Sequence, residues 1–240
     1  MVSLIIPTLN EATTLRRTLS GLTPELKSRY DLEVIVSDGG SSDGTLELAR
    51  GFGAQVLQAA PGEKQNISIG RNLGAAVARG SILIFLDADS FPREWEELLQ
   101  ETERVLQDQR VVAVTTRVEV HPSERSLSDA IWLTFYNLLF WCHNLLGSGM
   151  GRGNCQVVRA TAFRELGGYN QAIVASEDYD LYRRLRTLGR IRFLWGVLVY
   201  ESPRRFRKYG HLKVAGLWFW NYLNVAVRGK SWSKDWRPVR

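Results

Sequence analysis

A chain of 240 residues, 45% hydrophobic and 23% charged, is long enough for one large α/β domain with an elaboration and excludes a disordered or low-complexity protein. Its two cysteines, Cys142 and Cys155, are too few and too far apart for a disulfide framework or a zinc site, and they fit a reducing, cytoplasmic setting. The net charge of +6 is uneven: residues 201–240 hold ten Lys or Arg against Glu201 and Asp235, which is +8 and leaves −2 for the first 200, so the basic tail is the part suited to anionic lipid, phosphate or nucleic acid.

Residues 1–7 lack a basic n-region and a small-residue cleavage site, and read as a first strand and not a signal peptide. Pro7-Thr8-Leu9-Asn10-Glu11 turns the chain, and residues 12–22 show helical spacing with Leu15, Leu19 and Leu22 on one face. A second apolar strand, 32–36, ends at the small and acidic run 37–45, before a helix over 46–52. Residues 55–58 predict a short third strand, and Pro61-Gly62-Glu63-Lys64 leads into a helix through Ile69, Arg71, Asn72 and Ala75 that closes at Arg79-Gly80. The fourth strand, 82–86, is apolar without alternation, as a strand buried on both faces reads, and it stops at Asp87 and Asp89. Ligands collect beyond the carboxyl ends of strands in open α/β sheets, so two acids there suit Mg²⁺ or Mn²⁺ carrying a phosphate. A plain turn or helix cap is the other use of the same residues. The repeated strand–helix alternation predicts a doubly wound, mostly parallel sheet with helices on both faces and with Asn10, Asp38 and Asp87 along one edge.

In the second half, residues 95–106 read as an amphipathic helix and 111–120 as a strand. Residues 126–146 are aromatic and apolar nearly all round but too short to span a bilayer comfortably; they suit either a buried core helix or a helix at a membrane surface lining a lipid-acceptor groove. Four glycines within 147–153 predict a mobile loop, followed by a strand over 154–158 and a helix over 161–166. Ser176 is the expected N-cap of a helix that opens Glu177-Asp178 and carries Arg183, Arg184 and Arg186 on its polar side. The tail interleaves Trp218, Trp220, Trp232 and Trp236 with basic residues, the composition of a helical segment at a lipid headgroup boundary. Single-stranded nucleic acid is the rival partner, ranked lower because no recognition motif accompanies these residues.

Pro7-Thr8-Leu9-Asn10-Glu11, then residues 38–45, Arg71-Asn72 with Gly74, Asp87-Ala88-Asp89 and Glu177-Asp178 resemble, in order and spacing, the signature of family 2 glycosyltransferases of the GT-A fold. The resemblance covers residues 1–200 (1–110 a nucleotide-binding half, 111–200 an acceptor half) and leaves 201–240 as a basic, Trp-rich segment. It implies that Pro7, Thr8, Asn10, Glu11 and Asp38 hold the nucleoside, with Arg71 near the base or diphosphate. Asp87 would contact the ribose or sugar, or share with Asp89 a divalent metal, Mn²⁺ or Mg²⁺. Asp178 would be the general base of an inverting displacement, while Glu177, Arg204 and Arg205 are candidate diphosphate or acceptor contacts. His211 would complete the metal shell in some relatives.

The Gln-x-x-Arg-Trp element of processive members is missing after Asp178, so transfer of a single sugar is expected. The donor would be a UDP or GDP sugar, and the acceptor lipid-linked or otherwise held at the inner face of the cell membrane, with the enzyme peripheral to it. A nucleotidyltransferase is the rival enzyme; it calls for a Gly-rich basic loop after the first strand, and Pro7-Thr8-Leu9-Asn10-Glu11 has no glycine. A non-catalytic membrane- or nucleic-acid-binding module is the rival of another class, against which the acids Asp87, Asp89 and Asp178 argue.

Overall fold

The computed structural model describes residues 1–60 and 65–233; the expected lead-in at 61–64 and the tail's Trp236 lie outside them. The first half runs β1 (Val2–Thr8), α1 (Ala12–Ser20), α2 (Pro24–Arg29), β2 (Leu32–Asp38), α3 (Thr45–Gly51), β3 (Gln55–Gln58), α4 (Ile67–Val77) and β4 (Ile82–Leu86). The second half runs β5 (Ser90–Pro92), α5 (Trp95–Leu106), β6 (Val111–Val120), α6 (Leu127–Leu145), β7 (Cys155–Arg159), α7 (Ala160–Glu165), α8 (Glu177–Leu188), β8 (Arg190–Glu201), α9 (Arg204–Tyr209) and α10 (His211–Arg228).

The eight strands make one sheet in the order β3-β2-β1-β4-β7-β6-β8-β5. β1 to β4 pair in parallel. The central residues of β1, β2 and β4 are apolar on both faces because both faces are covered, whereas β3, at the sheet edge, is partly exposed. Leu4, Ile6, Val34, Val36, Ile84 and Leu86 pack into one core with Leu15 and Leu19 of α1 and Leu98 and Leu99 of α5. Ile5, Ile35, Leu83 and Phe85 pack into another with Ala75 of α4 and Leu181 and Leu185 of α8.

Beyond β4 the sheet departs from the doubly wound pattern. β7 runs antiparallel to both β4 and β6, and β5 antiparallel to β8, so the second half is mixed. β8 was not evident in the sequence; it extends parallel to β6 and draws Tyr200 and Glu201, read there as the start of the tail, into the sheet. A third, smaller core joins Leu133 and Tyr136 of α6 to Phe206 of α9 and Val214 of α10.

The glycine-rich segment 147–153, expected as a mobile loop, packs against α8. Gly149 has φ +75°, and a Cβ there would lie 2.7 Å from the Tyr182 carbonyl oxygen, while one on Gly151 would lie 2.5 Å from the Tyr182 ring. The glycines let the loop lie flat on α8.

Candidate active site

Parallel register brings the ends of β1 and β2 together, Thr8 beside Asp38, and the antiparallel start of β7 closes against the end of β4, where the Asp87 amide donates to the Asn154 carbonyl at 3.1 Å. Here a cavity of about 990 Å³ opens, whose lining includes Pro7 and Thr8 and the charged residues Glu11, Arg71, Asp87, Asp89, Glu177, Asp178, Glu201, Arg204 and Arg205. Its far wall is apolar, formed by Trp132, Phe135 and Leu139 of α6 with Trp218 and Phe219 of α10.

Arg71 organises the floor. Its fully buried guanidinium donates to Asp87 Oδ1 (2.8 Å), Glu177 Oε1 (2.9 Å) and the Gly153 carbonyl (2.8 Å), and lies over the Tyr169 ring. It thereby ties α4, the end of β4 and the start of α8 to one another, and it reaches the cavity only at their junction. Burial raises the Asp87 carboxyl to about 6; Arg71 pulls it back and Asp89 pushes it up again. Asp89 Oδ2 accepts from Arg204 at 2.9 Å, and Arg204 also donates to Glu11 at 3.2 Å.

Glu177 and Asp178 differ although adjacent. Both line the cavity, but Glu177 is buried on Arg71, whereas Asp178 is partly exposed and its Oδ1 accepts from the Tyr179 amide at 2.8 Å. Burial raises both carboxyls above the usual range. Ser176 precedes them at φ 63°, and its side chain makes no capping hydrogen bond, contrary to expectation: an N-cap acts from extended backbone, and left-handed backbone does not present its oxygen that way. A non-glycine residue in that region costs about 1–3 kcal/mol and is held by its surroundings.

Two expected nucleoside contacts stand one layer behind. Asp38 is buried, with Oδ1 accepting from the Gly40 (2.9 Å) and Ser41 (2.7 Å) amides and Oδ2 from the Thr8 (2.8 Å) and Ser41 (2.5 Å) hydroxyls. Asn10, at φ 52°, accepts from the Ser42 amide at 2.8 Å. Both order the loop whose Gly39 lines the cavity, and neither lines it. His211 is elsewhere: Nε2 pairs with Asp129 Oδ1 at 2.8 Å and the ring stacks between Trp132 and Phe206, so it packs α10 on α6 and is no partner of Asp87 or Asp89.

Two charged cavity residues were missed in the sequence, Arg152 and Glu201, which pair at 3.3 Å. Burial raises Glu201 to about 7 while Arg152 opposes the shift. Glu201 has the same sequence sign as Asp87, an acid ending an apolar strand; Arg152, inside a glycine run, has none.

Among the described residues no group of three or more His, Cys, Asp or Glu is arranged to hold a metal by itself. Asp87 and Asp89 nonetheless fit a hard divalent ion: two carboxylates repel across one cavity, and such an ion fills its remaining positions with phosphate oxygens and water. Nine buried side-chain polar atoms of the described residues lack a hydrogen-bond partner, and five belong to cavity residues, Gln65, Arg71, Tyr136, Arg152 and Arg204, as in a site completed by its ligand.

A Rossmann-like parallel half, a mixed second half and acids at their seam are the architecture of the GT-A fold. Solved structures bear out the fold. A mannosyltransferase from Pyrobaculum calidifontis, in complex with GDP-Man and Mn²⁺, superposes with a TM-score of 0.67 at 22% identity, over 88% of this chain and 61% of that one. Glucosyl-3-phosphoglycerate synthase from Mycobacterium tuberculosis, in complex with Mn²⁺, UDP and glucosyl-3-phosphoglycerate, gives 0.59 at 15% identity, over 95% and 78%. Residues 3–167 match the model of glycosyl transferase family 2, and the chain belongs to that family. Among relatives, the glycosyltransferase AglE of Haloferax volcanii is 38% identical over 102 residues, 40% of this chain and 33% of that protein. The succinoglycan biosynthesis protein ExoA of Rhizobium meliloti is 27% identical over 205 residues, 78% and 58%. The chain thus spans one third to three fifths of these relatives.

Proposed function

We propose that this glycosyltransferase is metal-dependent and inverting, and moves one sugar from a UDP or GDP sugar to a hydroxyl of a lipid-linked acceptor. The observation that carries the reading is the placement of Asp178, a raised carboxyl lining the same cavity as Asp87 and Asp89 while its neighbour Glu177 is paired with Arg71. A carboxylate poised that way suits proton abstraction. The acceptor oxygen attacks the anomeric carbon from the face opposite the diphosphate, its proton passes to Asp178, and the sugar–diphosphate bond breaks with the electron pair leaving on the diphosphate. A divalent ion at Asp89 and Asp87 would neutralise that developing charge. Pro7, Thr8 and Glu11 would hold the nucleoside edge, with Asn10 and Asp38 fixing the loop behind it; Arg205 would face the leaving group or an acceptor phosphate, and Arg204, by bridging Glu11 and Asp89, would couple donor and metal positions.

The lipid-linked acceptor and peripheral membrane attachment draw support from the apolar wall and its continuation outward. Leu127, Ile131, Leu138 and Leu145 of α6 and Leu212 and Val227 of α10 are exposed. No helix of the described residues is long and apolar enough to cross a membrane. A panel of UDP, GDP, CDP and their sugars, with and without Mn²⁺, tests the donor site by thermal shift, since a ligand at a hundredfold excess over Kd stabilises by about 2.7 kcal/mol. A metal-requiring shift with UDP or GDP alone is expected; no shift with any nucleotide would overturn the reading.

A further inference from the structure

Four guanidinium groups line the cavity, those of Arg71, Arg152, Arg204 and Arg205. Arg71 is held by the carboxylates of Asp87 and Glu177, and Arg204 by those of Glu11 and Asp89. Arg71 and Arg204 leave a buried Nε without a partner, whereas the unpartnered buried atom is a terminal nitrogen on Arg152. Its Nη2 meets Glu201 at 3.3 Å, while its Nη1 is buried with no hydrogen-bond partner, on a residue only 3% exposed. The hydroxyl of Tyr136, on α6, is in the same condition.

An unpaired buried polar group costs about 1–3 kcal/mol, and of the five in this cavity these two are linked electrostatically, Arg152 acting on the Tyr136 hydroxyl. Arg152 Nη1 can only donate and the Tyr136 hydroxyl is able to donate, so one acceptor would satisfy both. Arg152 also sets the electrostatics at two places: it pulls down the Asp178 carboxyl and the Tyr136 hydroxyl, whereas burial pushes both up. An anion received there would lie between the candidate base and the aromatic wall, against which the Arg152 guanidinium rests 5.7 Å from the Phe140 ring centre. Planar guanidinium groups suit phosphoryl oxygens in particular.

We infer that Arg152 and the Tyr136 hydroxyl form a phosphoryl-binding subsite for the acceptor, holding a phosphate ester of an amphiphile whose chain follows Trp132, Phe135 and Trp218. The inference rests on the acceptor reading above and deepens it. The phosphoryl group is an anchor that sets the distance from the lipid to Asp178 and takes no part in bond making, so Arg152 is a specificity-determining residue.

Binding of decyl phosphate, decyl glucoside and inorganic phosphate to the full chain, measured by titration calorimetry beside UDP and GDP with Mn²⁺, tests it. Decyl phosphate is expected to bind at least tenfold more tightly than decyl glucoside, and R152Q to bring the two within about twofold; Y136F should lower the preference several-fold, and R152K, which keeps the charge without the planar fork, should fall between. Equal affinity of the wild type for both amphiphiles overturns the subsite, as does an unchanged preference in R152Q. Should R152Q fail to fold, an unchanged preference in both R152K and Y136F overturns it instead. Inorganic phosphate binding as tightly as decyl phosphate overturns the lipid source and leaves a free-phosphate site. Nucleotide binding with no phosphate preference sinks this inference alone, whereas absent nucleotide binding in the wild type sinks the donor reading.

Discussion

Arg71 and Glu177 lie 106 residues apart and meet at 2.9 Å in the floor of the cavity, joining the helix before β4 to the helix that carries Asp178. The link is buried, and the same guanidinium also neutralises Asp87. Removing one partner of a buried ion pair strands the other charge, at a cost of about 3–5 kcal/mol. Arg71→Ala is therefore expected to lower stability by about that amount in denaturant titration. Arg71→Lys should recover only part of it, because an ammonium cannot reach Asp87, Glu177 and the Gly153 carbonyl in one plane. A fully stable Arg71→Ala protein would show that the hub is not needed for the fold.

Asp178 and Asp89 should separate chemistry from binding. Asp178→Asn removes the proton acceptor but keeps shape, so turnover is expected to fall by about 10²–10⁴-fold with donor affinity unchanged. Lost affinity would move Asp178 into a binding role. Asp89→Ala should instead weaken nucleotide affinity only when Mn²⁺ is present, and an unchanged metal-dependent affinity would refute the assignment of Asp89.

What the sequence made legible followed from local physics. Apolar runs placed β1, β2 and β4 because both faces of those strands are covered, and Asp38 and Asp87 at the ends of β2 and β4 marked the seam. Residues 95–106 and 111–120 emerged with the bounds read from periodicity. The antiparallel turn of β7 and the pairing of β8 with β6 depend on long-range register, which no local pattern encodes. Asp38 and Asn10 show the limit at the site: their residue types mark the loop, but only three dimensions show their oxygens turned inward onto Ser41, Ser42 and Thr8. Arg152 was hidden because its partner Glu201 is 49 residues away.

Glu201 gives a pH dependence with a definite sign. Its carboxyl is raised from 4.5 to about 7 in the folded protein, so between those values the native state binds a proton that the unfolded chain does not. That contribution is present in full below pH 4.5 and is lost as pH rises through about 7, with a span of roughly 3 kcal/mol as an upper figure. Glu201→Gln mimics the protonated form, so thermal unfolding at pH 5 and pH 8 should show the variant losing less stability than the wild type on going alkaline. Parallel losses in the two proteins would place Glu201 at an ordinary pKa.

Exposed apolar side chains at helical spacing on α6 give the membrane proposal its sharpest test. Leu127, Ile131 and Leu145 are 78%, 61% and 70% exposed and line no part of the cavity, so replacing them removes little packing. Folding stability should stay within about 0.5 kcal/mol per substitution. Each leucine or isoleucine buried in the interface contributes about 1.5–3 kcal/mol when fully covered, so even partial insertion of three should be visible. Leu127→Ser with Ile131→Ser and Leu145→Ser is therefore expected to lower binding to anionic vesicles at least tenfold. Exposed Lys208, Lys213, Arg228 and Lys230 add attraction that salt screens, so wild-type binding should also weaken between low and physiological ionic strength. Salt-sensitive binding untouched by the triple substitution would assign the attachment to charge alone and remove α6 from the interface.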